Sequence, residues 1–221
     1  MAIAVGVHAV AADGTTNTTT TGAVTTAASG SSFVIAVSYP NGDTITTVSD
    51  SKGNTYTLIR QVADAGDGVK GAWYLCTNGT GGASHTGSVQ ISATDPKTVY
   101  FCEITGGATA SLTDQESGVL DTSTPFDSSI TTTNADDLIL TFCVSNNATA
   151  TITLNGGFGT VDSENAAVDY ATKLGSRVVS ATGSYSPAAT ASAGGNMIVL
   201  TASFKALAGG ASPILFAQGI C

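Results

Sequence analysis

Two histidines, His8 and His85, are the only imidazoles in this 221-residue chain. A nucleophilic triad needs an imidazole set between a hydroxyl or thiol and a carboxylate. His8 falls in an alternating run with Ile3, Val5 and Val7, on the opposite parity, which turns it outward. His85 falls in the glycine-rich stretch GGASHTG, which reads as a turn. Neither is accompanied by a G-x-S-x-G elbow or by a cysteine in an electropositive setting, so neither is expected to be catalytic. Paired carboxylates offer the chemistry of glycoside hydrolysis. The candidates are Glu103, Asp114 with Glu116, Asp136 with Asp137, and Asp162 with Glu164. Most fall in turns, where Asp serves backbone geometry. Glu103 shares a strand face with Val99 and Phe101, and a satisfied structural carboxylate is expected there.

Binding chemistry is equally thin. Asp50-Ser51-Lys52-Gly53-Asn54 reads as a hairpin turn. The competing reading is a calcium loop, but Lys52 stands where a further oxygen ligand would help. GGASHTG and NGGFG lack the following helix and the lysine of a phosphate cradle. Cys76, Cys102, Cys143 and Cys221 form no C-x-x-C pair, so zinc lacks ligands. Buried free thiols are expected for the first three. A Cys76–Cys102 disulfide is a matter of geometry, and Cys221 is the thiol expected to be exposed. Trp73 is expected in the core, whereas Tyr74, Tyr170 and Tyr185 could together make a sugar platform. Sequons at Asn17, Asn78 and Asn147 matter only on a eukaryotic secretory route. No catalytic residue, cofactor or metal site is expected.

The elements that would position these residues are strands. Helical stripes are absent, while Thr, Val, Ile and Tyr recur in short alternating runs cut by Gly, Asn and Asp. Strands are expected over Ile3–Val10, Ser32–Tyr39, Thr44–Val48, Thr55–Arg60, Gly68–Thr77, Ser88–Ala93, Thr98–Thr105 and Asp137–Val144. Further ones are Ala148–Leu154, Gly159–Asp162, Ala167–Lys173, Arg177–Gly183 and Asn196–Lys205. Ser117–Asp127 reads as a longer loop. This is the pattern of an all-β protein: a single jelly-roll-like antiparallel β-sandwich with extended N- and C-terminal segments. The divisions are an N-terminal strand and Thr-rich connector over 1–29, the sandwich over 30–205 and an apolar arm over 206–221; the connector, from Gly14 to Ala27, reads as an edge strand, a flexible link or part of an arm. SFVIAVSY…TITTVSDS echoes DLILTFCV…ATITLNGGFGTVDS. The echo reads either as two related hairpins or as the shared grammar of β proteins, and the second reading is preferred.

The net charge of -9 and the seven scattered basic residues exclude a phosphate-binding face and disfavour an anionic membrane surface. No run reaches the length of a membrane helix. No basic residue precedes Lys52, so no signal peptide is expected. Charged residues make up only 10% of the chain, against about 25% in typical domains. Such a surface suits a protein packed among neighbours.

VSDSKGNTYTLI, FCEITGGATASLTDQESG, NADDLILTF and FGTVDS resemble segments of β-sandwich proteins of bacteriophage virions. The resemblance spans roughly residues 30 to 205 and rests on structural motifs. The tryptophan usual before the closing strand is replaced here by Gly195-Asn196-Met197. It implies a jelly-roll head decoration (cement) protein bound to the major capsid protein or other virion subunits. A homo-oligomer is implied, with a trimer suiting capsid three-fold positions, and the location is the virion, assembled in the host cytoplasm. A tail-fibre or surface carbohydrate-binding module is the alternative. No catalytic residue carries over. ALAGGASPILFAQGIC, residues 206–221, has no charged side chain. Beyond a Gly209-Gly210 hinge, Ile214, Leu215, Phe216 and Ile220 are the expected partner-binding residues. The competing expectation is that this arm folds back on its own sandwich.

Overall fold

The computed structural model describes residues 2–66, 68–164, 170–193 and 195–208. The arm residues Ile214, Leu215, Phe216 and Ile220, the Gly209-Gly210 hinge and Cys221 lie outside them. The chain is all-β and antiparallel, as its alternation of Thr and β-branched residues requires.

The first half contains β1 (Ala4–Asp13), β2 (Thr18–Thr20), β3 (Ser31–Pro40), β4 (Ile45–Asp50), β5 (Thr57–Asp64), β6 (Val69–Gly79), β7 (Gly87–Ile91) and β8 (Lys97–Thr105). The second contains β9 (Thr113–Asp121), β10 (Ile130–Thr131), β11 (Asp137–Ser145), β12 (Ile152–Thr153), β13 (Gly159–Glu164), β14 (Ala171–Val178), β15 (Ser184–Tyr185), β16 (Thr190–Ala191) and β17 (Met197–Lys205). Two five-stranded sheets, β1-β8-β3-β6-β5 and β13-β14-β11-β17-β9, face each other across the main core. Val34, Ala36, Trp73, Tyr100 and Ile104 of one sheet meet Leu140, Phe142, Leu174, Leu200 and Phe204 of the other. The central strands β3 and β11 are buried on both faces, so their outer faces need cover too. The β2-β7-β4 sheet covers Phe33, Ile35, Val37 and Phe101. The short β12-β16 and β10-β15 ladders, with their loops, cover Cys143, Val199 and Ile139.

The two halves repeat one connectivity. Reading from edge to edge, β1-β8-β3-β6-β5 corresponds to β9-β17-β11-β14-β13. The registers agree residue by residue. Ile104 opposes Ser32 and Val5, while Phe204 opposes Leu138 and Thr113. Trp73 opposes Ala36 and Arg60, while Leu174 opposes Phe142 and Asp162. Even the irregularities match, at Leu58/Arg60 and at Thr160/Asp162. The contacts between halves are reciprocal, as a two-fold relation makes them. β1 packs beside β13 and β5 beside β9. His8 pairs with Asp162, and the equivalent Glu116 pairs with the equivalent Arg60. Gly107 bridges Ala206, with Ala108 N–H donating to the Lys205 carbonyl and Leu207 N–H to that of Gly106. The sequence echo is therefore one part of a repeat that runs through both halves, not merely common β grammar.

Of the readings open for the Thr-rich connector, the structure takes the edge strand: it supplies β2, and Thr21 and Val24 N–H groups donate to Gly87 and His85 carbonyls at the border of the third sheet. Two expectations are corrected. Residues 171–173 and 177–178, expected in separate strands, lie in the single strand β14, because β11 pairs with it without a break. The stretch expected as a loop at Ser117–Asp127 begins inside β9. TDQESGVLD has poor strand propensity, but β17 offers it a full ladder partner, and pairing outweighs propensity.

Candidate functional site

Some of the polar residues singled out by type, among them Glu103, His85, Asp114 and Asp137, lie toward one end of the sandwich. There β3 and β11 begin, β8 and β17 end, and Ala206–Ala208 leave the sheet.

In the first half the organiser is Asp50, which closes β4. Its Oδ1 accepts the backbone N–H groups of Lys52 and Asn54 at 2.9 and 3.1 Å. Its Oδ2 accepts Asn54 Nδ2, the Tyr56 hydroxyl and His85 Nε2 at 2.7, 2.8 and 3.0 Å. These donors fill the carboxylate and leave no oxygen aimed outward for calcium. Burial alone would raise the Asp50 pKa; the Asn54, His85 and Tyr56 hydrogen bonds outweigh it and hold the carboxyl down to about 2. Burial and the neighbouring Asp50 charge push the Tyr56 phenol up.

His85 is fully buried, with its ring 4.6 Å from Phe33 and 4.7 Å from Phe101. Its Nδ1 meets Thr26 Oγ1 at 2.9 Å. Hydroxyl, imidazole and carboxylate thus stand in the series of a nucleophilic triad. The hydroxyl oxygen also accepts the Gly82 N–H at 2.9 Å and is buried, so it is held within the fold rather than presented to a ligand. The series ties together the 24–28 segment, the β4–β5 turn and the β6–β7 loop. Sequence reading placed His85 in a turn and missed its partners, which lie 35 and 59 positions away.

Glu103 is buried and satisfied. It accepts Ser31 Oγ at 2.7 Å, Ala27 N–H at 2.9 Å and Val7 N–H at 3.4 Å. The Val7 bond lies at the β1 irregularity between Val5 and His8, so the carboxylate fills a bulge. The second half has a counterpart: Gln115 N–H donates to Ser203 Oγ at 3.2 Å, and Ser203 is the equivalent of Glu103. Acid and hydroxyl have exchanged places there, because Asp137 stands where the first half has Ser31.

Asp114 and Asp137 are brought together by this exchange, a pairing the sequence did not suggest. Asp114 accepts Thr133 N–H at 2.7 Å, Asn134 Nδ2 at 2.8 Å and the Thr133 hydroxyl. Burial opposes these bonds, but their net effect holds the Asp114 carboxyl below its ordinary range. Asp137 is fully buried, and burial followed by the neighbouring Asp114 pushes it up to about 7. A cleft of about 470 Å³ opens nearby, lined by Ala108, Ala110, Asn134, Asp136, Lys205 and Leu207 among others. Asp137 itself is not among its lining residues.

The remaining candidates stay apart. Asp162 is taken by His8 at 3.1 Å. Glu116 faces Arg60 at 3.5 Å. Tyr170 is buried in the main core, Tyr74 packs against the cluster under the β2-β7-β4 sheet, and Tyr185 packs on the opposite side of the molecule beneath Arg177. The three tyrosines therefore form no shared platform. Cys76, Cys102 and Cys143 are buried free thiols, and burial pushes Cys102 and Cys143 up to about 12. Among the described residues no three His, Cys, Asp or Glu side chains are grouped to hold a metal, and no helix is long and apolar enough to cross a membrane.

No protein-family model, no curated protein and no solved structure matches the chain.

Proposed function

We propose that this chain is a non-enzymatic virion structural protein: a capsid decoration protein that binds the phage head through subunit contacts. The observation that carries this reading is the state of its buried polar groups. Asp50, His85, Thr26 and Glu103 spend their hydrogen bonds on backbone and on one another. That is how side chains are used when they fix loops at the end of a rigid block. A surface with few charges, suited to packing among neighbours, supports the same reading. The orders β1-β8-β3-β6 and β2-β7-β4 support its jelly-roll component.

The partners in this reading are the major capsid protein or other virion subunits, with the chain in a homo-oligomer such as a trimer. Segment 206–221 supplies the contact through Ile214, Leu215, Phe216 and Ile220. Its described start, Ala206–Leu207, is bonded to Gly106 and Gly107 at the sandwich end. Burying four such side chains contributes roughly 1.5–3 kcal/mol each.

Copy number decides the reading. Quantitative mass spectrometry of purified particles is expected to find the chain in hundreds of copies per head. A few copies, with binding on a glycan array, would replace the reading with a tail-fibre or carbohydrate-binding module. Deleting 209–221, which keeps the Ala206–Leu207 bonds to Gly106 and Gly107, is expected to abolish particle binding while leaving the melting temperature of the isolated chain nearly unchanged. A large fall in melting temperature would mean that the arm packs on its own sandwich.

A further inference from the structure

We infer that Asp114 and Asp137 form a one-proton switch that sets how firmly the end of β17, and the 206–208 segment leaving it, is held to the sandwich. The switch is independent of any virion role and would operate in any setting.

The Asp114 carboxylate already accepts the Thr133 N–H, the Thr133 hydroxyl and the Asn134 amide, so it is held as the ionised, acceptor-only partner. Asp137 is closed to solvent, and neither of its oxygens has a hydrogen-bond partner. An ionised carboxylate in that position would be a buried charge short of close donors, set against a second negative charge. A single proton on Asp137 resolves both difficulties, because the acid then has a hydrogen to direct at Asp114. Two groups on β17 favour the ionised form: the Ser203 hydroxyl, which accepts the Gln115 N–H and keeps its own hydrogen, and the charge of Lys205 opposite; burial and Asp114 outweigh them. Asp136 adds a further negative charge in the preceding turn. Beyond the end of β14, the Val179 N–H donates to the Asp137 backbone carbonyl and leaves the carboxyl untouched. The first half shows the satisfied alternative: Glu103 there has Ser31, Ala27 and Val7 as donors.

The sign follows from the raised carboxyl. The folded state holds the proton more tightly than the unfolded chain, so the stabilising contribution is complete below the ordinary carboxylate value of 3.8. It is lost as pH rises through about 7. Deprotonation sets two neighbouring negative charges against each other, and their repulsion loosens the ends of β9 and β17. The Lys205–Leu207 bonds to Leu112 and Gly106 loosen with them.

Amide hydrogen exchange on the full-length chain tests this, corrected for intrinsic rates and followed from pH 5 to pH 9. Protection at 112–115 and 203–207 is expected to fall with rising pH by up to about tenfold per unit. Asp137→Asn is expected to abolish that dependence, while Asp136→Asn, in the exposed turn, retains it. Equal pH dependence in wild type and Asp137→Asn would overturn the switch. If Asp137→Asn does not fold, the carbon-13 shift of the wild-type Asp137 carboxyl decides. Titration near neutrality supports the proposal, and an ionised carboxyl at pH 5 defeats it. Protection restored at pH 9 by added calcium would also defeat it, by making the pair a cation site rather than a proton site.

Discussion

Glu103 and Asp50 both place a carboxyl group in the interior, and their tests differ with their donors. Glu103 accepts from two backbone N–H groups and the Ser31 hydroxyl. Glu103→Gln keeps the shape but turns an amide hydrogen toward a backbone donor. It is expected to destabilise the chain by about 1–3 kcal/mol in a urea titration; a loss below that range would mean that the bulge relaxes around it. Asp50 has its carboxyl held down to about 2, so its contribution is present above 3.8 and is lost as pH falls through about 2. The stability gap between wild type and Asp50→Asn should therefore narrow between pH 4 and pH 2. A constant gap would show that the Asn54, His85 and Tyr56 bonds do not depend on the charge. The chemistry of both residues was legible only as types: turn-forming Asp, strand-face Glu. Their donors come from segments remote in the chain, which no local pattern reveals.

At the scale of elements, the two places where the large sheets meet edge to edge are held differently from their centres. The Arg60–Glu116 pair is well exposed, with side chains 42% and 34% accessible. Arg60→Ala is expected to cost less than about 1 kcal/mol by thermal unfolding. Close packing at the same edge matters more. A Cβ on Gly118 would lie 2.6 Å from Leu200 Cδ2 and 2.8 Å from Val62 Cγ2. Gly118→Val is expected to cost roughly 1–3 kcal/mol or more, by forcing β9 away from β5. If the glycine substitution proves the milder of the two, ion pairing rather than fit closes the sandwich. The strands rich in Val, Ile and Phe were readable from alternation alone. β9 was not, because its polar residues form a strand only by virtue of β17 beside it.

For the whole molecule, the main core is shared by both halves: Trp73 and Tyr100 from one side each meet Phe142 from the other. Neither half can bury its inner face alone. Calorimetry is therefore expected to give one cooperative transition despite the repeat. Two resolved transitions would show that each half holds its own core through its outer layer. The repeat also explains why a divergent pair such as Glu103 and Ser203 can be compared at all. The same backbone position is offered twice, and the two side chains answer the bulge with different chemistry.

Composition and alternation by themselves determined an all-β chain, its main strands and the burial of Cys76, Cys102 and Cys143. These are local or additive properties: propensity and period act where they stand. The tertiary structure alone decided the repeat of strand order, the sealing of His85 between Asp50 and Thr26, and the meeting of Asp114 with Asp137. Each depends on which strands become neighbours. Strand pairing joins residues far apart in the chain, and its energy resides in contacts that no single segment contains.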